Sequence, residues 1–112
     1  MRMATVPLQI KFLHMRRMAS VEREIAERVQ DLQSLHGRII GCHVSVEVPH
    51  HSHQTGNTLE VRISLALPGE LVVTRKKSSA SQPSVAVHQA FDALVRQLRK
   101  LAEKQVTSRK KR

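Results

Sequence analysis

The sequence predicts an α+β domain of order β-α-β-β-β-α, a four-stranded mixed sheet with two helices on one face. Three observations predict it. Four stretches alternate apolar and polar residues with period two, which marks half-buried strands. Two longer stretches place apolar residues at helical spacing. One of these lies between the first and second strands, so those strands pair in parallel through a right-handed crossover. The later strands follow one another through turns and pair antiparallel. Each strand has one apolar face, so both helices should cover the same side of the sheet.

Residues 1–5 read as a loose start. Leu8, Ile10 and Phe12 alternate with Gln9 and Lys11 as the first strand. A connector, His14 to Met18, leads to Ser20, an N-cap candidate, with Glu22 and Glu24 where the helix dipole favours acids. Val21, Ile25, Val29, Leu32 and Leu35 mark the first helix, and Gly37 suits its end. Ile40, Cys42, Val44, Val46 and Val48 form the most regular strand, followed by a polar turn from Pro49 to Asn57. Leu59, Val61, Ile63, Leu65 and Leu67 make the third strand, which turns at Pro68-Gly69. Leu71 and Val73 are placed in a fourth strand ending near Arg75-Lys76-Lys77. A Ser-rich loop, 78–84, precedes the last helix, with Pro83 just before it. The wet face of the sheet is expected to show Gln9, Lys11, His43, Ser45, Arg62, Ser64 and Thr74.

The last helix, Ser84 to Gln105, organises the chain. Val87, Phe91, Leu94, Leu98 and Leu101 make one apolar stripe. Arg96 lies about opposite it, and Arg99, Lys100 and Lys104 flank it. From Arg96 to the end there are eight basic residues and one acid, Glu103. Residues 1–107 read as one domain and 108–112 as a basic, disordered tail.

Charge points to a partner. The formal net charge is +10. Residues 1–56 hold seven Lys/Arg against five Asp/Glu, and residues 57–112 hold twelve against four. An excess gathered in one half suits a polyanion, nucleic acid before an anionic membrane. Each Lys or Arg near a phosphate releases a counterion, and Arg adds bidentate geometry. The candidate contacts are Arg96, Arg99, Lys100 and Lys104, with Arg75, Lys76 and Lys77 extending the same surface. The aromatics are Phe12 and Phe91, both on apolar faces, so no platform is left for stacking single-stranded bases.

Other chemistries are poorly supported. One cysteine, Cys42, excludes an internal disulfide and a Cys-rich zinc site and fits a reducing cytoplasm. It sits on an apolar strand face, as an inert thiol would. His50, His51 and His53 invite a metal reading, but a polar turn gives them no fixed ligand spacing. No resident metal or cofactor is expected. No run reaches the ~18 apolar residues of a membrane span. No Gly-rich phosphate loop or nucleophile–base spacing is present, so the chain reads as non-enzymatic, with no small-molecule substrate. Two rivals to polyanion binding are a protein-docking module using the open sheet face and a metal-responsive module using the His-rich turn.

Four collinear segments carry a family resemblance: Leu8 to Phe12, Arg38 to His50, Val61 to Arg75, and Ala90 to Lys100, the last with Arg96-Gln97-Leu98. Over about residues 6–105 the chain resembles the bacterial ribosome hibernation-promoting and ribosome-associated translation inhibitor family, once called sigma-factor modulation proteins. The resemblance implies a β-α-β-β-β-α domain topologically similar to double-stranded-RNA-binding domains. It implies binding to small-subunit rRNA in the mRNA–tRNA channel, and a monomer off the ribosome. It implies rRNA contacts at Arg96, Lys100 and Lys104, with Arg99 among them, and at Arg75. The acidic pair and Tyr usual at the start of the family's last helix are replaced by Gln82, Pro83 and Ser84. The C-terminal dimerisation domain of long members is not matched, so pairing of ribosomes by this chain alone is not expected.

Overall fold

A computed structural model describes residues 7–35, 37–48, 58–79 and 81–110, with side chains described as far as Glu103. The elements are β1 (Leu8–Leu13), α1 (Ala19–Leu35), β2 (Gly41–Glu47), β3 (Thr58–Leu67), β4 (Glu70–Ser79) and α2 (Pro83–Lys110). The sheet order is β1-β2-β3-β4. β1 and β2 are parallel, and the other two pairs are antiparallel. This is the expected mixed sheet in the expected order.

Sequence alternation sets which way each strand faces. Cys42, Val44 and Val46 of β2 and Leu59, Val61, Ile63, Leu65 and Leu67 of β3 are buried beneath the helices. α1 contributes Val21, Ile25, Val29 and Leu32. α2 contributes Val87, Phe91, Leu94 and Leu98, with Ala86 and Ala90 fully buried. Their small side chains let the helix backbone come close to its neighbours. Burial raises the Cys42 thiol to about 11, so it is protonated and inert at neutral pH.

β4 differs from expectation in reach and facing. It continues through the basic triplet to Ser79, because Leu59 and Thr58 of β3 pair with Ser78 and Ser79. Its buried positions are Val72 and Thr74, while Leu71 is 63% exposed. The two-residue Pro68-Gly69 turn pairs Leu67 with Glu70, and so Leu65 with Val72 and Ile63 with Thr74. Partners in a ladder share a face, so Thr74 faces the core rather than water. Gly69 holds φ +74, which glycine adopts without the Cβ clash of other residues.

Three ends also differ. α1 starts at Ala19, and the Met18 carbonyl accepts bonds from the Val21 and Glu22 amides at 3.1 and 3.0 Å. Arg17 donates two bonds to the Glu22 carboxylate, at 2.9 and 2.8 Å, which pins the chain entry, while Ser20 lies inside the first turn and is not the cap. These bonds hold the Glu22 carboxyl below its usual range. Leu35 and Ile40 are 70% and 57% exposed, because both lie where the covered sheet ends. α2 begins with Pro83 itself, whose missing N–H is harmless in a first turn. It runs on to Lys110, taking in residues 108–110 of the stretch read as a tail.

Candidate nucleic-acid interface

α2 is held against β4 by two side-chain bonds as well as by its apolar stripe. The Thr74 hydroxyl donates to the Gln97 amide oxygen, and Ser78 donates to Gln89 at 3.2 Å. Thr74 is 6% exposed, so its hydroxyl needs that partner. Gln97→Ala should therefore cost about 1–3 kcal/mol by orphaning it. The paired change Thr74→Val with Gln97→Leu should recover much of the loss. Urea unfolding of the three proteins checks this.

The same two bonds orient the cations. At 100° per residue, Arg96 and Lys100 lie roughly 20° either side of Gln89 on the helix circumference, Lys100 toward Gln97 and β4 and Arg96 on the outer face about opposite the apolar stripe. Lys76 pairs with buried Val61 and so points to the helix side of the sheet, between Thr74 and Ser78. Arg96 and Lys100 are exposed and Lys76 is half-buried. Arg99 is exposed on the other flank of α2, where it lines a cleft of about 170 Å³ with Leu32, Leu35, Val95, Leu98 and Ala102. Asp92 and Glu103 share the outer arc. Among the described residues, neither is in an ion pair with Arg96, Arg99 or Lys100. Lys104 continues the β4 flank as a helix position, but its side chain lies outside the described residues.

The basic triplet does not form one surface. Arg75 pairs with Arg62 and Lys77 with Glu60, so both project from the open face, away from α2. Of the seven expected contact residues, the fold sets Arg96 and Lys100 on the exposed side of α2, Lys76 on the helix side of β4 and Arg99 on the α1 flank, and sends Arg75 and Lys77 to the open face, while the Lys104 side chain lies outside the described residues.

The helices are joined by a polar cluster that charge counting did not single out. Ser84 donates to Glu24 at 2.6 Å, and Glu24 lies 2.5 Å from His88, which also meets Arg28. These residues fasten the start of α2 to α1. The turn with His50, His51 and His53 lies outside the described residues. Among those described, no three His, Cys, Asp or Glu are grouped to hold a metal, and no helix is long and apolar enough to cross a membrane.

The comparisons agree with this scaffold. The model of the Sigma 54 modulation protein / S30EA ribosomal protein family matches residues 8–106. The chain belongs to that family. It is thereby a member of a ribosome-associated group that regulates translation and ribosome hibernation. A ribosomal subunit interface protein from Coxiella burnetii has a similar fold, with TM-score 0.72 and 14% identity. That match covers 88% of this chain and 99% of the other. The N-terminal domain of Thermus thermophilus Protein Y matches with TM-score 0.68 and 13% identity, again over 88% and 99%. No curated protein matches the sequence significantly.

Proposed function

We propose that this family member is a translation inhibitor of the hibernation type, which occupies the mRNA–tRNA channel of the small subunit and blocks it sterically. The carrying observation is that Arg96 and Lys100 stand exposed on α2, a helix fastened to β4 at both Gln89 and Gln97, with half-buried Lys76 on the helix side of that strand. A rigid cationic row offers several phosphates fixed partners without first having to order a loop. Arg99 adds a further exposed cation on the other flank of α2. The reading needs neither a cofactor nor a catalytic step. It places the protein in the cytoplasm with ribosomes, as a monomer when unbound.

The test is co-sedimentation with purified small subunits across a salt series. If about six to eight phosphates are neutralised, the slope of log affinity against log salt should fall between roughly −4 and −7. Absence of co-sedimentation even at low salt would refute the reading.

A further inference from the structure

The open face of the sheet carries cations that neither the core nor the α2 flank uses. The strand register places Lys11, Ser45, Arg62 and Arg75 side by side in one row across all four strands. At about 4.8 Å per strand the row is roughly 14 Å long. Beside it, between Lys11 and Arg62, lies a depression of about 140 Å³. Gln9, Lys11, His43, Ser45, Arg62 and Ser64 line it, with Val44 at its floor. All six polar side chains can donate a hydrogen bond, and no carboxylate lines the depression. The acids of this face, Glu47 and Glu60, lie one row away on the other side of Ser45 and Arg62, around a neighbouring depression that Ser45, Arg62 and Arg75 also line. Glu47 is 3.8 Å from His14.

Arg62 and Arg75 are direct partners on adjacent strands. Like charges so placed weaken a sheet. Among the described residues neither is in an ion pair, and the nearest carboxylates, Glu47 and Glu60, stand a row away without contacting them, so the repulsion is only partly relieved. An external anion would relieve the rest. The donor-only lining suits phosphate oxygens, and the absence of aromatic residues on this face rules out base stacking there.

We propose that Lys11, Arg62 and Arg75, with Ser45 and Ser64, form a second phosphate-binding surface that grips an RNA backbone on the side of the sheet away from α2. The protein then bridges two RNA segments, one on each face. This rests on the RNA-binding reading above, but the two can fail separately.

The probe is a short RNA duplex, titrated against the full chain, with stoichiometry read by sedimentation velocity and affinity by anisotropy over a salt series. The wild type should bind two duplexes at low salt. K11Q/R62Q/R75Q should bind one, and the summed salt slope should shrink by about 2.7 for three lost contacts. R96Q/K100Q should keep the sheet-bound duplex. R62K/R75K, which keeps the charge, should still bind two, and it carries the test if the triple variant does not fold. If R96Q/K100Q changes nothing while the sheet triple abolishes binding, this surface stands and the helix reading falls. If the sheet triple keeps wild-type stoichiometry and slope, or R62K/R75K binds as the triple is expected to, the proposal is overturned. It is likewise overturned if this face binds a glutamate-rich peptide and no RNA.

Discussion

Reversing two charges on α2, Arg96→Glu together with Lys100→Glu, is expected to weaken association with the small subunit by at least ~100-fold. Both side chains are exposed, and no ion pair holds either among the described residues, so the fold loses little. The thermal midpoint should move by no more than about 3 °C. The partner loses two attractive contacts and meets two repulsive ones at fixed positions, because the helix is bolted down at Gln89 and Gln97 and cannot roll away. Sedimentation at low salt and a thermal melt on the same preparation separate the two effects. A module that docks another protein through its sheet face would keep its activity in this variant, and that result would decide against the RNA reading.

The second large effect is on stability. Phe91→Ala should cost about 4 kcal/mol and lower the thermal midpoint by roughly 15–30 °C. Phe91 is 2% exposed between fully buried Ala90 and the stripe residues Val87 and Leu94. Removing its ring leaves a cavity that the close helix–sheet packing cannot collapse to fill. A loss of that size takes a large part of the ~5–15 kcal/mol that keeps a domain folded. Below the new midpoint the cationic flank is still in place, so ribosome binding should persist there and vanish as the protein melts. Binding lost in a fully folded Phe91→Ala protein would mean that the ring, and not the charge, meets the partner.

Much of this was legible in the residues. Period-two alternation located β1, β2 and β3, and the helical stripes located the core faces of α1 and α2, because one-sided burial leaves a clear imprint. β4 was harder. Leu71, Val72 and Val73 are all apolar, so alternation cannot choose between the two facings. The choice was nevertheless encoded in the turn: with only Pro68 and Gly69 between strands, Leu65 and Val72 must share a face. The same count sends Arg75 to the open side and Lys76 to the helix side. Reading Arg75-Lys76-Lys77 as one patch overlooked that neighbours in a strand point opposite ways. Lys11 and Arg62 were recognised as exposed, but their alignment with Arg75 appears only once all four strands are in register. The Glu24–His88–Ser84 fastening joins residues about sixty positions apart, and no local pattern announces such a contact.

Because α2 is the last element of the fold, it has a consequence for how the chain comes into being. During synthesis the strands and α1 emerge first, and the greasy side of β3 and β4 waits half uncovered. The segment that seals it also bears Arg96 and Lys100. On the reading proposed above, the cations of α2 are therefore held in fixed positions only once that seal is in place.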